Sequence, residues 1–184
     1  MADEEDDRPC IAFEGVRRIA AGPLAAIRGE VQAAMARGAA RLLVFDAETS
    51  RLVEIPPSGA PEAAAAPARR GPGRPKLGVV AREVTLLPRH WEWLGRQPGG
   101  ASVALRRLVD EARRTSAGAD QARSARDAAY RFMSAMGGDL PGFEEASRAL
   151  FRGEPERFSQ MIADWPIDVR DHAQALASRA FAGG

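Results

Sequence analysis

Hydrophobic positions in this chain fall into three stretches with different periods. In the first, short β-prone runs surround one helical pattern. Ile11-Ala12-Phe13 reads as a strand, Glu14-Gly15 as a turn, and Val16 to Ile19 as a returning strand. Gly22-Pro23 marks a helix start, because proline suits the first helical turn, where its missing N–H is no loss. Leu24, Ile27, Val31 and Met35 follow at helical spacing, and Gly38 ends the run. Arg41 to Asp46 is the most strand-like segment of the chain. After the loop 47–50, Leu52, Val53 and Ile55 make a fourth strand. The pattern predicts a ββαββ unit over residues 10–55. One helix on one face of so small a sheet buries little apolar area, so the unit is expected to pack on something else or to dimerise.

The second stretch begins with a linker over residues 56–78, rich in Pro, Ala, Gly and Arg and without hydrophobic period. Residues 79–115 then read as strand, helix, turn, helix. Val84 to Leu87 is β-prone. Pro88 opens a helix with Trp91 and Leu94 three apart, and Pro98-Gly99-Gly100 breaks it. Ser102 is suited to cap the next helix. There Leu105, Leu108, Val109 and Ala112 make one apolar face, with Arg106, Arg107, Asp110, Arg113 and Arg114 on the other side. Trp91 and Trp93 are two apart and cannot share a helix face. Trp91 is therefore assigned to the core, and Trp93 to contact with another domain or a dimer partner, with base stacking the lesser alternative.

The third stretch, residues 116–182, is helical throughout and is expected to form a four-helix cluster. Ala129, Phe132, Met133 and Met136 form a stripe closed by Gly137-Gly138. Pro141, Pro155 and Pro166 each stand where a new helix starts, with Asp139, Glu154 and Asp164 close upstream. Phe143, Leu150, Phe151, Phe158, Met161, Ile162, Trp165, Val169 and Leu176 are the expected core. The fold class is α+β: a small N-terminal ββαββ unit, a middle helical hairpin led by a strand, and a helical C-terminal cluster.

Charge changes this picture more than composition does. The 184 residues carry a net charge of only +1. Residues 67–115, however, hold 11 basic and 4 acidic side chains, while the flanking segments are net acidic. A basic middle in a near-neutral chain points to a localised anionic partner or to an acidic neighbour that covers it. Lys76 is the only lysine. Guanidinium forks suit phosphate and base edges, although richness in Ala, Gly, Pro and Arg throughout is also the mark of a GC-rich genome. Residues 1–9 form an acidic tail expected to be disordered. That start is unlike a signal peptide, and no apolar run reaches the ~18 residues of a membrane span. Cys10 is the only cysteine, so no internal disulfide forms. A cytoplasmic location without membrane contact is the expectation.

Catalytic chemistry finds no foothold. His90 and His172 are far apart and lack a Cys or carboxylate cluster for a metal, and no nucleophile–base pair is evident. Gly71, Gly73 and Gly78 follow a linker rather than a strand, so they make no phosphate loop. The expectation is a non-enzyme without cofactor or metal.

Two motifs carry the binding reading. Pro72-Gly73-Arg74-Pro75-Lys76 resembles the core of an AT-hook, which lays arginines flanking a glycine into the minor groove. Pro72 stands where the full pattern has a second arginine, leaving Arg74 as the central one. Arg69, Arg70 and Lys76 supply nearby phosphate-reaching charge; a plain basic linker is the competing reading. Residues 82–114 resemble a ribbon-helix-helix domain. In that family, strands of two chains pair into a ribbon that enters the major groove, and helix N-termini hold phosphate. Leu87-Pro88 matches the strand end, Trp91 and Leu94 the inward positions of the first helix, Gly99 to Ser102 the turn and cap, and Leu105 to Ala112 the second helix. Strand alternation leaves two registers open. In one, Glu83, Thr85 and Leu87 face DNA. In the other, Arg82, Val84 and Leu86 do, and Glu83 is buried.

The strings FEGVRRIAAGPL, LLVFD, the run from Gly73 to Arg114, and AAYRFMSAMGGDLPGFEEASRALFRGEPERF with DWPIDVRDHA resemble domain-of-unknown-function family 2239 of bacteria. The resemblance implies that the three segments belong together as one protein and transfers no catalytic residue. The expected function is a homodimeric DNA-binding protein or regulator of low sequence selectivity, paired through 82–114. Its contacts are Arg69, Arg70, Arg74, Lys76, Arg82, Thr85, Ser102, Arg106 and Arg107. The alternative is a non-catalytic interaction module whose basic helix docks on carboxylates such as Asp139, Glu144 and Glu145.

Overall fold

The computed structural model describes residues 7–56, 80 and 82–183. The described residues up to 56 and from Ala117 onward form one compact unit, and those within Pro61–Ser116 belong to a second. The expected acidic tail, apart from residues 7–9, and the linker, apart from Pro56, lie outside the described residues. No helix among the described residues is long and apolar enough to cross a membrane.

The first unit is built on an antiparallel sheet of three strands, β1 (Pro9–Glu14), β2 (Arg17–Pro23) and β3 (Leu42–Asp46), in the order β2-β1-β3. Gly15 turns β1 into β2 at φ 60, and a bulge between Ala12 and Phe13 shifts the register. Successive side chains of a strand point to opposite faces, and β1 uses both. Cys10 and Ala12 face one cluster, with Leu24, Ile27 and Val31 of helix α1 (Leu24–Ala36). Ile11 and Phe13 face a second cluster built from the C-terminal helices. The sheet is thus the middle of three layers. This meets the sequence-level need for a partner: the tail supplies the second cover, within the same chain.

The fourth strand shrinks to a single antiparallel bridge, Phe45 to Leu52, with the Val53 N–H donating to Val44 O at 2.8 Å. Ser50 sits at φ 53 and re-aims the chain, leaving Leu52 exposed and Ile55 buried under α1. Two further bonds tie the sheet to its helical cover. The Arg18 N–H donates to Asp168 Oδ2 at 2.8 Å and Arg41 Nη2 to Ala135 O at 2.6 Å.

The remaining helices are α2 (Pro88–Gly95), α3 (Gly100–Gly137), α4 (Phe143–Arg152), α5 (Pro155–Met161) and α6 (Ile167–Phe181). Pro155 opens α5 and Pro166 caps α6. The expected stripe Ala129, Phe132, Met133 and Met136 is buried, joined by Ala122 and Ala125. Phe151 is the exception among the expected core residues of the C-terminal helices, at 51% exposure.

Helix α3 corrects the sequence reading of two helices, one ending near Ala112 and one starting near Asp120. It runs unbroken. Gly118 is the only glycine between Ala101 and Met136 and no proline intervenes. Arg114 pairs with Glu111 at 2.6 Å, Arg123 pairs with Asp120, and Thr115 Oγ1 bonds back to Glu111 O. Nothing within 4 Å would meet a Cβ at Gly118. Gly118→Ala is therefore expected to stabilise the protein by about 0.5–1 kcal/mol, through lower chain entropy in the unfolded state. A urea midpoint that stays put or falls would contradict this.

Candidate nucleic-acid interface

Arg69, Arg70, Arg74 and Lys76 lie outside the described residues. The described part of the candidate interface starts at Arg82. Residues 82–87 belong to no helix or strand. A lone strand needs a neighbour for its N–H and C=O groups, and no described residue of the chain pairs with this segment. Leu87 is extended, at φ -68 and ψ 152, and leads into α2 with Pro88 at its first turn. Arg82, Glu83, Val84 and Thr85 are exposed and Leu86 is half-buried.

The turn between α2 and α3 is made by two glycines at positive φ, Gly99 at 82 and Gly100 at 77. A Cβ on Gly99 would lie 3.1 Å from Val103. Because α3 starts at Gly100, Ser102 is inside the first turn rather than capping it, and its carbonyl accepts from Arg106 Nε at 3.1 Å. Leu94 and Ala104 are the buried residues of this hairpin.

Trp91 departs from its expected core position: it stands 44% exposed, much like Trp93. The cause is size. A hairpin of two helices has one inner seam, and Leu94 and Ala104 fill it. Between Val84 and Val109, seven large apolar side chains are left 43–58% exposed: Val84, Leu87, Trp91, Trp93, Val103, Leu108 and Val109. The face of α3 that reads as apolar is real as a pattern, but its outer residues are unburied in the single chain. Arg107 and Arg113 make no hydrogen bond or ion pair among the described residues, while Arg114 is engaged by Glu111 and by Asp110 O. Glu145, one of the carboxylates of the alternative reading, is held by Arg148 and Arg157. Those two arginines keep its pKa below the ordinary value.

Outside this segment, His172 is the titratable group the sequence did not flag. It packs against Phe132 and Phe13, with ring centroids 4.5 and 6.0 Å away, and its Nε2 is buried without a partner. Burial, helped by the charge of Arg18, lowers its pKa from 6.5 to about 4. Aromatic flanks far apart in sequence create this environment, so no local motif signals it. Cys10 is buried in β1, and burial raises its thiol pKa despite nearby Arg8. Among the described residues no group of three metal-ligating side chains converges.

A family model described as an uncharacterized protein conserved in bacteria, DUF2239, matches residues 9–177. Neither a curated protein nor a solved structure gives a match.

Proposed function

The chain belongs to the bacterial family DUF2239, and we propose that it is a homodimeric, non-catalytic DNA-binding protein. The supporting observation is the pairing of two features in one short segment. Seven large apolar side chains stand exposed between Val84 and Val109, and Arg106, Arg107 and Arg113 are exposed on α3. Large apolar side chains left in water within one short segment point to an interaction site. A second copy of the hairpin covers it and gives residues 82–87 a strand partner. Pairing two copies doubles the basic charge on one body, which suits a phosphate backbone. In this reading Arg106 and Arg107 contact phosphates near the start of α3, and Arg82 and Thr85 lie along the ribbon. Arg69, Arg70, Arg74 and Lys76 add charge from the segment before it. The absence of a second arginine in the AT-hook-like core favours backbone contact over precise base reading.

The test is duplex binding by fluorescence anisotropy between about 50 and 200 mM salt, beside sedimentation of the free protein. The expected result is a dimer whose affinity falls steeply with salt. Replacing Arg106 and Arg107 by alanine is expected to reduce the log–log slope by about 3.6, at roughly 0.9 for each of the four phosphate contacts the dimer loses. Leu108→Glu is expected to give a monomer with weakened binding. Absence of duplex binding even at low salt would overturn the proposal. A dimer that binds no DNA would leave the apolar face as a protein-interaction surface alone.

A further inference from the structure

One exposed aromatic group belongs to the first unit. Tyr130 on α3 and Phe151 on α4 are 41% and 51% exposed, with ring centroids 5.5 Å apart at 64°. Phe143 backs Tyr130 at 6.3 Å and 29°. The two exposed rings belong to an open cleft of about 470 Å³, lined also by Glu144, Ser147, Arg148 and Arg152. Ser147 is 8% exposed, and its Oγ is buried with no hydrogen-bond partner. Arg148 is shared with Glu145. Arg152 makes no hydrogen bond or ion pair among the described residues.

Each component asks for a different chemical feature. Exposed rings favour a flat π-surface, because stacking recovers apolar area that the fold leaves in water. A free guanidinium among the lining residues favours a phosphate. An apolar side chain from a protein partner satisfies the first need and leaves the second unmet. A nucleobase carrying its phosphate satisfies both. We propose that the cleft formed by Tyr130, Phe151 and Arg152 binds an unpaired nucleobase and its 5′-phosphate, supplied by a single strand or by a free nucleotide. None of these residues belongs to the duplex-binding segment, and the proposal stands or falls independently of that reading. Phe151 is then exposed because its partner is a ligand rather than the core.

The test is anisotropy of a labelled single strand of about 12 nucleotides, near the site sizes that stacking proteins occupy. Adenosine monophosphate is the competitor. Tyr130→Ala and Phe151→Ala are each expected to weaken binding about 5- to 100-fold, whereas Tyr130→Phe and Phe151→Trp keep it. Arg152→Ala is expected to lower the salt slope by about 0.7, one single-strand phosphate contact. Competition by the mononucleotide at similar concentration assigns the site to free nucleotides, and its failure assigns it to strands. The proposal is overturned if the wild type at low salt binds neither the single strand nor labelled adenosine monophosphate, or if both alanine variants bind as the wild type does. It is also overturned if Phe151→Ala breaks an oligomer while strand affinity is unchanged. Both rings are about half exposed, so the alanine variants are expected to stay folded at the assay temperature, and thermal melting separates lost binding from lost fold.

Discussion

Trp165→Ala is expected to destabilise the protein by about 3–5 kcal/mol, the range for removing a buried large aromatic side chain. Trp165 is 3% exposed, and its Nε1 donates to Pro141 O at 2.8 Å. It therefore joins the turn after α3 to the start of α6, with the adjacent Pro166 as the α6 cap. Gly137 is part of the same arrangement. A Cβ there would lie 2.8 Å from Trp165 Cζ3, so the indole rests against a surface that only glycine leaves open. Trp165→Phe keeps part of the ring packing but orphans the Pro141 carbonyl, for a smaller loss of about 1–2 kcal/mol beyond the reduced packing. Gly137→Ala is expected to cost markedly less in the Trp165→Ala background than alone, because the clash disappears with the indole. Urea unfolding of the four proteins of this cycle is the measurement. Additive effects, or a loss under about 1 kcal/mol for Trp165→Ala, would remove Trp165 from its place as the hinge of the helical layer.

Acidification from pH 6.5 to 4 is expected to cost about 2–3 kcal/mol through His172 alone. Its pKa is about 4 in the fold against an ordinary 6.5. Below 6.5 the unfolded chain binds a proton that the folded chain refuses, so stability falls with falling pH until the folded imidazole also protonates. The full 2.5-unit difference converts at about 1.36 kcal/mol per unit, and the partial exposure of the ring trims the result. The groups around the imidazole explain the sign. Phe13 and Phe132 withdraw it from water, and Arg18 adds a positive charge. The nearby Asp168 carboxylate is occupied by the Arg18 backbone N–H.

Asp46 titrates in a different window. Burial pushes its pKa up, but hydrogen bonds from the Thr49 N–H and hydroxyl and from the Glu48 N–H outweigh this and hold it below 3.8. Its contribution is therefore lost only at lower pH. His172→Phe is expected to flatten the stability profile between pH 6.5 and 4. A wild-type profile already flat there, or an imidazole that titrates near 6.5 by NMR, would contradict the assignment.

Local rules were enough for much of the architecture. The first two strands, β3 and α1 follow from alternation, a turn glycine and helical spacing, since each is set by a period that the backbone imposes on side chains. The helix starts at Pro155 and Pro166 follow from the fixed φ of proline. The basic segment and the apolar face of α3 are likewise visible, because charge and period are local properties. What such rules miss is the count of neighbours. Alternation at Leu52 to Ile55 reads as a strand, yet only one bridge forms. Trp91 reads as core, yet a two-helix seam has room for Leu94 and Ala104 and little more. Residues 79–115 and 116–182 read as separate helical stretches, yet with no proline between them one helix runs through the boundary.

The sequence by itself therefore determined the three strands of the sheet, most helix starts, the basic middle and the apolar faces, because these depend on spacing within a few residues. Only the tertiary structure decided which faces are covered. It set the tail helices on the far side of the sheet and packed His172 against two rings more than a hundred residues apart in sequence. It also left two aromatic–basic surfaces open, one at Trp91 and Trp93 and one at Tyr130 and Phe151. Burial depends on the whole set of packed neighbours, and those come from positions that no local pattern links.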